Sequence, residues 1–85
     1  MILAIDIGNT NIVLGCFEDD NIILRERIST NHTATVIEYA ATIKTAFEMH
    51  GITPKEVTGA IISSVVPAVT NTVKSAIERF LLFLR

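Results

Sequence analysis

Eighty-five residues leave room for one small domain, and seven Lys and Arg against nine Asp and Glu, a net charge of −2, supply no basic footprint for nucleic acid or anionic membrane. Hydrophobic residues make up 49% of the chain and charged residues 19%, which excludes intrinsic disorder. A chain this short buries only about 60–65% of its unfolded surface, so some apolar area is expected to need cover from outside these residues.

In chain order, Ile2–Ile7 and residues 12–17 are nearly unbroken apolar runs and read as strands buried on both faces. Between them Gly8-Asn9-Thr10-Asn11 reads as a tight turn, a set of residues that tolerates positive φ. Asp19-Asp20-Asn21 marks a second turn. Residues 22–29 mix apolar positions with Arg25, Glu26 and Arg27 and read as a more solvent-facing third strand near an edge. Val36, Ala40, Ile43 and Phe47 then fall on one helical face, Thr35 and Glu38 have capping-box spacing, and Gly51 supplies a stop, so a helix is expected over about 36–50. Thr53-Pro54-Lys55-Glu56 repeats the capping pattern over one short turn. Residues 59–66 form a β-branched fourth strand closed by Pro67, and Val69, Val73, Ile77, Phe80, Leu81 and Leu84 line a second helix.

The expected fold is therefore α/β with a mixed sheet in the order βββαβα, an antiparallel meander carried by a right-handed crossover to the fourth strand. Leu84 stands before Arg85 with no Gly or Pro stop, and residues 1–85 are read as a single truncated domain. Cys16 is the only cysteine, so no intrachain disulfide can form; its apolar strand favours a buried, inert thiol and fits a reducing cytosol. No basic leader precedes the first strand, and no apolar stretch approaches the roughly 20 residues that cross a bilayer.

Chemistry concentrates at Asp6-Ile7-Gly8-Asn9-Thr10-Asn11. A carboxylate at the end of an apolar strand is costly to bury without a partner. Gly8 lets a ligand approach the backbone, the turn's N–H groups and polar side chains can cradle an anion, and Asp6 can hold hydrated Mg²⁺ beside a phosphate. The same residues also suit a plain hairpin whose polar turn satisfies its own backbone, with Asp6 capping a neighbouring amide. Neither a Walker lysine nor a G-x-G-x-x-G fingerprint is present. Ser63 and Ser64 end a strand and either face a cleft or bond local backbone. His32 and His50 lack metal-ligand spacing and suit a solvated loop and a helix C-terminus, while Arg25 and Arg27 read as a solvated face.

Asp6-Ile7-Gly8-Asn9-Thr10-Asn11 resembles the first phosphate motif of the type III pantothenate kinases, a branch of the superfamily of sugar kinases, Hsp70 and actin with a ribonuclease H-like fold. Arg27-Ile28-Ser29-Thr30 and Ile61-Ile62-Ser63-Ser64-Val65-Val66-Pro67 resemble further segments of that family in order and spacing. The resemblance implies the N-terminal half of an enzyme that transfers phosphate from ATP to pantothenate, giving 4'-phosphopantothenate, the first step of coenzyme A synthesis. It assigns the ATP phosphates to Asp6, Ile7, Gly8, Asn9, Thr10, Asn11, Ile12 and Val13, with Asp6 near Mg²⁺ through water. It also implies a cytoplasmic homodimer, a monovalent cation (K⁺ or NH₄⁺) and a general base in a later Gly-x-Asp-Arg motif that these residues lack. This fragment alone is then expected to be inactive. One departure is local: Ala34-Thr35-Val36-Ile37-Glu38-Tyr39 keeps the family's Glu-Tyr but has Ile37 at its Asp position. Two alternatives remain, a regulatory role implied by the family's transcription-accessory label (Bvg accessory factor), and a nucleotide-binding half from another member of the superfamily.

Overall fold

The turn at residues 8–11 folds β1 (Ile2–Ile7) back onto β2 (Asn11–Glu18), which pairs antiparallel with it from Ile2↔Phe17 to Ile7↔Ile12. In the computed structural model, which describes residues 1–83, β3 (Asn21–Ser29) extends the meander on the far side of β2. A register shift at Cys16/Phe17 takes Cys16 opposite Leu24 and Phe17 opposite Ile22, a bulge that lies close to Asp19, whose φ is +54°. The chain then crosses through α1 (Val36–Met49) and a single 3₁₀ turn at Pro54–Glu56 to β4 (Gly59–Ser64), which pairs parallel with β1. The sheet order is β3-β2-β1-β4, mixed as expected, with β3 at one edge. Helix α2 (Pro67–Phe83) follows. The expected core role of Leu84 and the missing helix stop at Arg85 lie outside the described residues. No described helix is long and apolar enough to cross a membrane.

Local signals set the ends of α1. The Thr35 amide and hydroxyl donate to the Glu38 carboxylate at 3.0 and 2.9 Å, and the Glu38 amide donates back to the Thr35 hydroxyl at 3.3 Å, which completes the capping box. These bonds hold the Glu38 pKa below its ordinary value. At the other end Gly51 adopts φ +68°, the Ile52 amide reaches the Phe47 carbonyl at 3.0 Å, and the Gly51 amide reaches the Glu48 carbonyl at 3.1 Å. That is a Schellman closure, which needs a left-handed residue.

The core lies on one side of the sheet. Leu3, Ile5 and Ile7 of β1 and Ile12, Leu14 and Cys16 of β2 face Tyr39, Ala40, Ile43 and Phe47 of α1 and Val69, Val73, Ile77 and Phe80 of α2. Phe47 and Phe80 meet edge to face at 4.7 Å between centroids. No described helix packs on the opposite face. Both β1 and β2 were expected to be buried on both faces, yet Ile2 and Phe17 stand exposed there at 39% and 38%, beside Ile61 of β4 at 64%. The expectation failed because a continuous apolar run records what a strand can bury, whereas its actual cover is set by where the helices pack.

Cys16 is fully buried, as its apolar strand implied. Desolvation pushes its thiol up from 9.0 to about 11, with the N-terminal ammonium opposing and Glu56 reinforcing the shift. Because the unfolded thiol ionises first, its contribution to folding stability is intact below about pH 9 and disappears as pH rises toward about 11. Iodoacetamide at pH 8 is expected to leave Cys16 unmodified in the native chain and to label it fully in urea, read by mass spectrometry. Gly51→Ala forces a Cβ into the left-handed region and is expected to lower stability by about 1–2 kcal/mol, measured by urea denaturation; an unchanged midpoint would contradict the closure described.

Candidate functional site

Parallel pairing of β1 and β4 brings their carboxyl ends to the same edge of the sheet, the end at which α/β sheets form ligand sites. The Val65 amide extends this pairing by donating to the Ile7 carbonyl at 3.1 Å. Thr30, just past β3, reaches the same place: its hydroxyl donates to the Gly8 carbonyl at 2.7 Å and its amide to the Thr10 carbonyl at 3.0 Å. Three segments separated by 20 or more residues therefore converge on the turn between β1 and β2.

Asp6 was expected to be a buried carboxylate in need of a partner. It is instead exposed on the helix-free face, and among the described residues its carboxylate has no hydrogen bond or ion pair. Alternation along β1 explains this, since Ile5 and Ile7 take the core side and leave Asp6 the other. The register places Val13 and Ser63 directly beside it. These residues, with Ala4, Phe17 and Ile61, line an open depression of about 440 Å³.

The turn itself is closed between the Gly8 amide and the Asn11 carbonyl at 2.9 Å, so the Gly8 N–H is already engaged. The amides of Asn9 and Thr10 have no partner among the described residues. Thr10 and Asn11 are joined through the Asn11 side-chain amide, which donates to the Thr10 hydroxyl at 3.1 Å. No residue of the turn has positive φ, so the left-handed tolerance anticipated there is not used. Gly8 matters for close approach, since a Cβ would come within 3.1 Å of the Asn11 carbonyl oxygen. Ile7 and Ile12 point into the core and offer a ligand their main chain alone.

Ser63 and Ser64 separate into different roles. Ser63 is exposed beside Asp6, while the Ser64 hydroxyl accepts from the Val66 amide at 3.0 Å and the Thr70 hydroxyl at 2.7 Å, tying β4 to the first turn of α2. The local backbone bond considered for these serines thus holds for Ser64. Arg25 and Arg27 alternate onto the Asp6 side, and Arg27 shares the transverse row Ser63–Asp6–Val13–Arg27, about 10 Å from Asp6 by two strand spacings. Sequence spacing missed this, because strands not adjacent in the chain become neighbours only through the register. Glu26 takes the other side, where its carboxylate meets His50 Nε2 at 2.8 Å, a partner that the solvated reading of His50 did not include.

Among the described residues no group of three or more His, Cys, Asp and Glu could hold a metal ion. A divalent ion here would have one carboxylate, Asp6, and would take its other ligands from water and a bound phosphate, a donor set that suits Mg²⁺ and not a cation held by an all-protein cage. The departure at Ile37 is also legible: Glu38 serves the helix cap and Tyr39 is buried, whereas Ile37 is 63% exposed in the first turn of α1 and does not line the depression at Asp6.

The family model for type III pantothenate kinases matches residues 2–84. The chain is 47% identical over 81 residues to a type III pantothenate kinase of Finegoldia magna, covering 95% of this chain and 31% of that protein. It is 46% identical over 80 residues to one of Syntrophobacter fumaroxidans and 44% identical over 80 residues to one of an Exiguobacterium species, covering 94% of this chain and 30% and 32% of theirs. The chain spans about a third of the length of these curated relatives. Its four-stranded mixed sheet, followed by helix, strand and helix across the matched residues, is consistent with the N-terminal half of a kinase-like α/β fold. The chain belongs to the type III pantothenate kinase family.

Proposed function

We propose that this chain is the ATP-phosphate-binding part of an enzyme that phosphorylates pantothenate to 4'-phosphopantothenate. The observation that carries the reading is the juxtaposition, at the carboxyl end of two parallel strands, of an Asp6 carboxylate with Asn9 and Thr10 amides, none of which has a partner among the described residues. Amides at such a turn meet phosphate oxygens, and Asp6 holds the water shell of Mg²⁺, which supplies charge neutralisation when bound. Gly8 and Val13 shape the backbone approach, and Ser63 lies within the same row as Asp6. The names of the relatives support pantothenate as the acceptor.

Phosphoryl transfer is largely positioning and electrostatic stabilisation, so the parts that hold the acceptor and take its proton are as necessary as the phosphate turn. No Gly-x-Asp-Arg motif occurs in these 85 residues. The general base, the K⁺ or NH₄⁺ site and most of the pantothenate pocket are therefore assigned to other residues of a cytoplasmic homodimeric protein, and the chain by itself carries no turnover. Sequence of the gene past the codon for Arg85, searched for Gly-x-Asp-Arg, tests that assignment directly.

Asp6→Ala is expected to weaken Mg²⁺-ATP binding at least tenfold, about 1.4 kcal/mol or more, with a smaller effect on ATP in EDTA, measured by calorimetry. Equal Mg²⁺-ATP affinity in the variant would remove Asp6 from the metal. The purified 85-residue chain is expected to form no phosphopantothenate from ATP and pantothenate in a radiolabel assay; measurable product would contradict the division of the site.

A further inference from the structure

We propose that Thr30 is the positioning residue of the phosphate turn: by holding the Gly8 and Thr10 carbonyls, it sets the direction in which the Asn9 amide meets a polyphosphate. The proposal rests on the phosphate reading of the turn and adds to it the group that gives the turn its shape.

The Gly8 carbonyl and the Asn9 N–H belong to the same planar trans peptide unit, so they point in opposite directions. A hydroxyl that captures the carbonyl therefore aims the amide away from itself. Thr30 Oγ1 does this at 2.7 Å, and the Thr30 amide holds the Thr10 carbonyl at 3.0 Å, so both peptide units flanking the exposed Asn9-Thr10 pair are anchored by one residue. Without that anchor the turn keeps, among the described residues, its closing Gly8–Asn11 bond, the Asn11–Thr10 side-chain contact and the pairing of Asn11 with Ser29 where β2 begins. Two-residue hairpin loops are ordinarily shaped by primed turns with positive φ. This one has none, so its shape needs an external support.

Thr30 is itself held in place. The next residue, Asn31, donates its amide to the Tyr39 hydroxyl at 2.8 Å, and the same hydroxyl donates to the Asn31 carbonyl at 2.8 Å. The Tyr39 ring is 4% exposed within the core, so the segment is braced against α1. A β-branched side chain has few χ1 choices, which keeps the Thr30 hydroxyl in register with the Gly8 carbonyl. Donors fixed before the ligand arrives bind it without an ordering cost.

The test uses the ¹⁵N-labelled chain, with amide shifts of Asn9 and Thr10 followed during titration with Mg²⁺-ATP and, separately, Mg²⁺-tripolyphosphate. Thr30→Val keeps the shape and removes the donor; Thr30→Ser keeps the donor. Thr30→Val is expected to bind both ligands about three- to tenfold more weakly, the loss of one hydrogen bond, while Thr30→Ser stays within about twofold of the parent. Tyr39→Phe keeps the ring in the core and is expected to weaken binding about threefold, so the proposal stays testable should Thr30→Val fail to fold. A purely structural role would lower the thermal midpoint of Thr30→Val without changing the affinity of the folded molecules, and that result overturns the proposal. So does equal affinity in Thr30→Ser and Thr30→Val, or unchanged affinity in Tyr39→Phe where Thr30→Val does not fold. Absence of any saturable shift at Asn9 and Thr10 in the parent chain would overturn the phosphate reading first and this proposal with it. Unchanged affinity in Thr30→Val beside a parent that binds overturns the Thr30 role alone.

Discussion

Alternation along β1 is the constraint from which the rest of the structure follows. Leu3, Ile5 and Ile7 must share one face because successive strand residues point to opposite sides, and the helices cover that face. Asp6 is thereby sent to the other face, in water, next to the turn that ends the strand. A one-residue slip of β1 would bring Asp6 into the core and turn Leu3, Ile5 and Ile7 out, an exchange costly enough to keep the register in place. Stability and the placement of the candidate site are therefore one physical event.

The helix-free face is segregated along its length. Near the turn it carries Asp6, Asn11, Arg27, Ser29 and Ser63 around Val13, and at the far end Ile2, Ala4, Phe17, Ile22 and Ile61, with Arg25 the one charged residue among them. The polar end is the one joined by Thr30 and by the Val65 bond to the strand ends, so hydrogen-bonding groups gather beside the Asn9 and Thr10 amides, which have no partner among the described residues. The apolar end keeps large side chains in contact with solvent, Ile61 and Ile22 among the most exposed. That distribution agrees with the composition, in which apolar residues outnumber what one covered face can hide.

Segments that resemble the family proved to differ in how they serve the fold. Glu38 and Tyr39 have structural work that explains them without a ligand: Glu38 closes the cap of α1 and Tyr39 braces Asn31. Ser64 fastens β4 to α2, while its neighbour Ser63 faces the open side with Asp6. A motif read as one unit thus contains residues with opposite orientations, as strand alternation requires.

From sequence alone the strands, both helices, the capping boxes at Thr35 and Thr53, the Gly51 stop and the mixed sheet were legible, because each depends on neighbours within a few residues or on a repeat of apolar positions. The Asp6-to-Asn11 segment was likewise legible as a strand end followed by a tight polar turn. Tertiary structure alone decided which face of β1 and β2 is covered, that Asp6 is exposed, that Ser64 is a tie and Ser63 is not, and that Thr30 and Arg27 come near the turn. Those outcomes depend on strand register and on where helices pack: Thr30 reaches Gly8 from 22 positions away, Arg27 joins the Asp6 row through Val13, and even the six-residue tie from Ser64 to Thr70 needs α2 to turn back against β4, so no local pattern of side chains encodes them.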